Sequence, residues 1–193
     1  MAEQPVLDER IKGRQGYGLV QLIYGNGKGK TTAALGQAIR CVGAGKRALI
    51  VYFDKGGTTH YSERKVMVTI PGLSYEATGR DRIDPVTGRF DFAITDIDRS
   101  EAVRGLEIVK NALCSDTYDL VVLDEINSTV NLGMLDESAL LHVLDAKHDT
   151  VEIILTGRNP SAALLERAHL VTEMRLERHY FYSGVQAREG LDY

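Results

Sequence analysis

The chain has no tryptophan, two cysteines, four prolines and no apolar run longer than a strand. Each shortage excludes something. Cys41 and Cys114 lie far apart and outside any metal-ligand spacing, so no cysteine-held metal is expected, and both thiols read as small hydrophobes packed in helical segments. The histidines at 60, 142, 148, 169 and 179 form neither an H-x-x-x-H pair nor a Cys/His cluster, which argues against zinc. Basic residues do not predominate: 23 Lys and Arg against 27 Asp and Glu give a net charge of −4, leaving room for a local basic pocket but not for a broad nucleic-acid-binding face. The opening residues MAEQPVLDERIKGRQG lack the apolar core of a signal peptide, and nothing is long enough to span a bilayer. The expectation is a soluble, cytoplasmic protein.

What is present is an alternation. With 193 residues, 44% of them hydrophobic, the chain suits one compact domain over 17–193, preceded by a polar, flexible arm at 1–16. Strand-like runs at 18–24 (GLVQLIY), 47–53 (RALIVYF), 119–124 (DLVVLD), 151–157 (VEIILTG) and 169–174 (HLVTEM) are separated by helical stretches. On the helix from Lys30, Ala34, Leu35, Ala38, Ile39 and Val42 share a face; on the one from Ile97, Ala102, Leu106, Val109 and Leu113 do. Strands apolar throughout and alternating with helices predict an α/β, three-layer domain with a mainly parallel sheet, of the P-loop, RecA-like class. Ligands of such sheets bind at the carboxyl ends of the strands.

The first strand runs into YGNGKGKTTAALG at 24–36. A glycine-rich loop between strand and helix turns backbone N–H groups and the positive end of the helix dipole toward an anion. Gly25, Gly27 and Gly29 allow close approach, Lys30 can reach between phosphates, and the Thr31 hydroxyl can bind Mg²⁺. The usual loop carries a glycine five residues before Gly29; here that position is Tyr24. DLVVLDE at 119–125 supplies the carboxylates Asp124 and Glu125, which could organise a metal or polarise water. Nucleotide and Mg²⁺ binding follow from these residues; the reaction does not, and a RecA-like ATPase stays open.

The run G-N-G-K-G-K-T-T, with Ala33, Ala34, Gly36 and Arg40, resembles the loop of the ATP:corrinoid adenosyltransferases of the CobA/BtuR/CobO type, and the likeness continues through FDKG, LDE, LTGR, LVTEM, RHYF and GVQAREGLDY to the C-terminus. Loops of that family lack the first glycine. The resemblance implies transfer of the 5′-deoxyadenosyl group of ATP to Co(I) of a corrinoid, releasing triphosphate, in adenosylcobalamin biosynthesis or salvage. It implies a homodimer and an electron donor such as a flavoprotein. Gly25, Asn26, Gly27, Lys28, Gly29, Lys30, Thr31 and Thr32 would hold the nucleotide, with Arg40 at the nucleoside. Thr31, Asp124 and Glu125 would hold Mg²⁺, and Lys30 and Glu125 would carry the chemistry.

On the corrinoid side the resemblance points to Lys55, His60, Tyr61 and Glu63 in the loop after the second strand, where an ordinary polar loop is the other reading, and to Arg158. His179 reads either as structural or as a cofactor contact. The family's G-F-T-W segment, whose aromatics displace the lower cobalt ligand, is replaced by RDRIDPVTGRFDF. Arg80 and Arg82 take its place in register, and Phe90 and Phe92 are the aromatics left to serve from a shifted position or to pack in the core.

Overall fold

The computed structural model describes residues 7–58, 60–83 and 91–192. Strands β1 (Val20–Tyr24), β2 (Ala48–Tyr52), β3 (Leu73–Ala77), β4 (Leu120–Asp124), β5 (Glu152–Gly157) and β6 (Leu170–Glu173) form one sheet in the order β3-β2-β4-β5-β1-β6, and all its pairs are parallel. Helices α1 (Lys30–Gly43), α2 (Arg64–Met67), α3 (Asp96–Leu113), α4 (Ile126–Asn131), α5 (Glu137–Asp145) and α6 (Ala162–Arg167) make the outer layers. The α/β three-layer class expected from the sequence is the one found.

Successive side chains of a strand point to opposite faces, so an apolar run contributes to two cores at once. In β4, Val121 and Leu123 join a core with α3, α5 and α6, while Leu120 and Val122 join a second core with α1. All five residues of β4 are buried. Each fully buried leucine or isoleucine contributes about 1.5–3 kcal/mol. The edges differ: in β3 burial alternates along the strand, and all four residues of β6 are exposed.

Two expectations from periodicity need correction. Ile39 sits on the outer shoulder of α1 and is 46% exposed, because Ala34, Ala38 and Cys41 define the face that meets the sheet. Cys41 is buried as expected, but Cys114 is exposed: it caps the C-terminus of α3, one residue beyond the last buried turn. Strand β3 also lies inside what the sequence shows only as a loop-rich middle, since a half-buried edge strand of five residues between Gly72 and Gly79 carries little period.

Part of the expected N-terminal arm is held against the domain. Arg10 donates to the carbonyls of Glu166 and Ala168, and Arg14 to that of Asp149. Residues 1–6 of the arm lie outside the described residues. Among the described residues no helix is long and apolar enough to cross a membrane.

Candidate active site

The three loop glycines do different work. Gly29, the N-cap of α1, has φ 114°, a left-handed conformation costly for any other residue, and a Cβ there would meet nothing within 4 Å. No side chain caps α1, so its first-turn amides and dipole face the loop. Gly25 and Gly27 were expected to clear space for an anion; both also lie against the chain leaving β6. A Cβ on either would come within 2.5 or 2.6 Å of the Met174 carbonyl, which accepts from the Gly27 N–H at 2.7 Å. The reason is topological: β6 pairs in parallel with β1, so its exit runs beside the loop.

Lys30 is buried and arches back to donate to the Gly27 carbonyl at 3.0 Å. Burial, opposed by Glu125 and reinforced by Arg158 and Lys55, pushes its pKa below the ordinary lysine range. An anion placed against the buried ammonium would give it the counter-charge that burial takes from water. Asn26 and Lys28 are exposed on the loop, and Thr32 is exposed on the first turn of α1. Arg40 does not join them. It is ten residues along α1 from Lys30, about 15 Å at the helical rise, and exposed at the helix's other end.

Strand β5 lies between β1 and β4 and links their two ends. Its Thr156 donates to Asp124 Oδ1 at 2.7 Å and accepts from the Glu125 N–H at 2.9 Å. Thr31 Oγ1 donates to Asp124 Oδ2 at 3.3 Å, so the phosphate helix and the acidic strand meet as the sequence suggests. Glu125 has φ 64°, and its Oε2 accepts from Ser128 at 2.7 Å; Ser128 in turn accepts from the Arg158 N–H. Asp54 and Asn159 also have positive φ, at 52° and 49°. Such backbone conformations cost about 1–3 kcal/mol each and gather where a site demands them. All three residues line one cleft.

That cleft, of about 740 Å³, opens at the carboxyl ends of β2, β4 and β5. It brings together Lys55, Tyr61, Phe92, Glu125 and Arg158, with an apolar side made by Ile94, Leu132 and Met134. His60 and Glu63 follow Lys55 in the chain but do not line it; Glu63 precedes α2. Phe90 lies outside the described residues. A second pocket, of about 230 Å³, is enclosed by Asn26, Gly27, Lys28 and Lys30 on one side and His179, Tyr180 and Phe181 on the other. Arg158 and Asp192 line both cavities, so they adjoin. Thr156, Ser128 and Asp192 are site residues missed by sequence reasoning; LTGR, the third residue after Glu125 and the closing GLDY were the available signals.

Residues 16–193 match the model of the family described as ATP:corrinoid adenosyltransferase BtuR/CobO/CobP. The chain belongs to this family. It is 32% identical to the corrinoid adenosyltransferase CobA of Salmonella typhimurium over 197 residues, covering 97% of this chain and 92% of that protein. It is 37% identical over 187 residues to an uncharacterized protein of Nostoc sp., covering 90% of this chain but only 47% of that longer protein. Among solved structures it is similar to the RadB recombinase, with a TM-score of 0.49, 19% identity, and coverage of 82% of this chain and 74% of the other.

In this adenosyltransferase family member the blocks RHYF and GVQAREGLD, residues 178–181 and 184–192, form a cap over the phosphate loop. Lys28 donates to the Tyr180 hydroxyl at 3.0 Å and ion-pairs with Asp192, which also accepts from Tyr180 and Arg188. These donors, Lys28 first, hold the Asp192 carboxyl well below the usual carboxylate range. His179 Nδ1 accepts from the Phe181 N–H at 3.1 Å, which fixes the turn of this cap. Arg80 and Arg82, in the place of the aromatic segment, are tied down in ion pairs: Arg80 with Asp91 and Asp98, Arg82 with Asp54 and Asp98. Phe92, beyond them, is 83% exposed at the cleft and is not a core residue.

Proposed function

We propose that the chain transfers the 5′-deoxyadenosyl group of ATP to the cobalt of a reduced corrinoid and releases triphosphate. The observation that carries this reading is the pair of adjoining cavities: a pocket on the phosphate loop shares Arg158 and Asp192 with a cleft large enough for part of a flat macrocycle. The electron pair of Co(I) attacks C5′, the C5′–O bond breaks, and its electrons leave with the triphosphate. No proton moves, so no general base is required. Lys30 and the first-turn amides of α1 meet the charge that grows on the departing oxygens. Lys28 supplies a further cation once triphosphate competes with Asp192 for it. Phe92, Ile94, Leu132 and Met134 offer the ring an apolar side, and Lys55, Tyr61 and Arg158 offer polar contacts for its rim.

Thr31, Asp124 and Glu125 suit Mg²⁺: their oxygens converge on one point, and a positive charge, the Lys55 ammonium, already stands there. Bound there, the metal would neutralise phosphate charge. Glu125→Gln keeps an acceptor for Ser128 but removes the negative charge, so the Mg²⁺ concentration for half-maximal transfer is expected to rise, by about tenfold if the contact is worth ~1.4 kcal/mol. An unchanged metal requirement takes Glu125 out of the metal's surroundings. Cytoplasmic location, an electron donor such as a flavoprotein and a homodimer belong to the same reading; β6 is an exposed edge strand that a second copy could cover.

Product identity tests the whole proposal. Triphosphate is expected in equal amount to adenosylated corrinoid, and only when Co(I) corrinoid is present. Steady orthophosphate release without corrinoid would replace transfer with hydrolysis by an ATPase using Asp124 and Glu125.

A further inference from the structure

Lys55 reaches out of the loop after β2 and places its ammonium among the oxygens assigned above to the metal: 2.5 Å from Asp124 Oδ2, 3.2 Å from Thr31 Oγ1 and 3.8 Å from Glu125 Oε1. Asp124 is wholly buried, and a buried carboxylate without a counter-charge is costly. The ammonium answers that need within the chain itself. Its backbone is immobilised: the Lys55 N–H donates to the Thr78 carbonyl, the Lys55 carbonyl accepts from Arg64, and the Arg64 guanidinium is packed on the rings of Tyr61 and Tyr52 at 3.8 and 4.5 Å. Only the side chain, which is 19% exposed and borders the cleft, is left to swing.

We propose that Lys55 is a tethered stand-in for the divalent cation, which closes the metal position in the nucleotide-free protein and makes metal binding conditional on nucleotide. A metal ion and the ammonium cannot occupy the same point between Thr31, Asp124 and Glu125, and a tethered ammonium competes for it at high effective concentration. A free divalent ion gains too little from three protein oxygens to displace it. An ion arriving with a triphosphate brings phosphate oxygens as further ligands, and the displaced ammonium gains an anionic partner in the same cleft. This rests on the metal assignment made above.

The test is titration of the full-length protein with Mn²⁺, without and with ATP, reading free metal by electron paramagnetic resonance, for wild type, Lys55→Met, Lys55→Gln, Glu125→Gln and Lys55→Met combined with Glu125→Gln. Wild type is expected to bind Mn²⁺ tightly only with ATP. Lys55→Met and Lys55→Gln are expected to bind it at least tenfold more tightly than wild type without nucleotide, and Glu125→Gln is expected to cancel that gain. Mn²⁺ should also raise the melting temperature of either Lys55 variant without ATP, a readout that covers a variant weakened by the uncompensated Asp124. Equal or weaker Mn²⁺ binding in both folded variants overturns the proposal while the metal assignment stands, provided Glu125→Gln still weakens ATP-dependent binding in the wild-type background. If it does not, the assignment fails first and the stand-in role falls with it.

Discussion

Replacing Lys30 with alanine is expected to lower the rate of adenosyl transfer by about 10²–10³ while leaving the fold intact, since removal of one preorganised charge contact at a developing anion costs about that much. The side chain makes one described hydrogen bond, to the Gly27 carbonyl, while the loop is held by backbone: Gly27 N–H to the Met174 carbonyl and Ala33 N–H to that of Gly29. Its removal therefore takes away charge and little scaffold. Burial, with Arg158 and Lys55 adding to it, lowers the Lys30 pKa, and the attraction of its ammonium for an anion grows as charge builds on the departing triphosphate. That predicts loss in turnover more than in KM for ATP. Single-turnover rates with Co(I) corrinoid, beside a thermal melt, decide it; wild-type turnover in a folded Lys30→Ala protein would refute the role.

Asp98→Ala is expected to destabilise the domain by about 3 kcal/mol, the lower end of the cost of breaking a buried ion pair, and to lower Tm by about 6–12 °C for a chain of this size. Asp98 sits at the start of α3 with its side chain fully buried; its carboxylate accepts from the Thr95 N–H and hydroxyl and pairs with Arg80 and Arg82. Without it, Arg82, with 4% of its side chain exposed, keeps Asp54 but loses the other of its charge partners among the described residues. The helix loses its capping box as well. Burial pushes the Asp98 carboxyl up, but the Thr95 and Arg80 hydrogen bonds and the Arg82 charge outweigh it and hold the pKa below the ordinary value. A depressed carboxylate contributes stability that is full above about pH 4 and is lost as pH falls through the folded value. The gap between wild type and variant should therefore be constant near neutral pH and narrow in acid. Denaturant melts at pH 7 and pH 3 measure both; a difference below about 1 kcal/mol at pH 7 would show that the pair is not buried in solution.

The sequence by itself determined the class of fold, the phosphate loop and its acidic partner. Those features are local: an apolar run of five or six residues flanked by glycine or a helix signal reads as a buried strand wherever it lies, and G-K-G-K-T-T needs only the strand before it and the helix after it. The family resemblance was legible for the same reason, because its blocks are contiguous. Tertiary structure decided everything that joins distant segments. Gly25 and Gly27 lie against Met174, nearly 150 residues away, a constraint on their size that the loop sequence does not show. Lys55 could be placed beside a cleft from its strand, but its position between Thr31 and Asp124 depends on strand order, as does the bridging of β1 and β4 by Thr156. Arg80 and Arg82, read along the chain, stand where aromatics belong; in the fold their charges are used by Asp54, Asp91 and Asp98, and Phe92 is at the cleft. Arg40 shares a helix with Lys30 yet is separated from the site by that helix's own length. Periodicity states which face of an element is apolar, whereas the neighbour that face or end meets is set by sheet order, which no local pattern encodes.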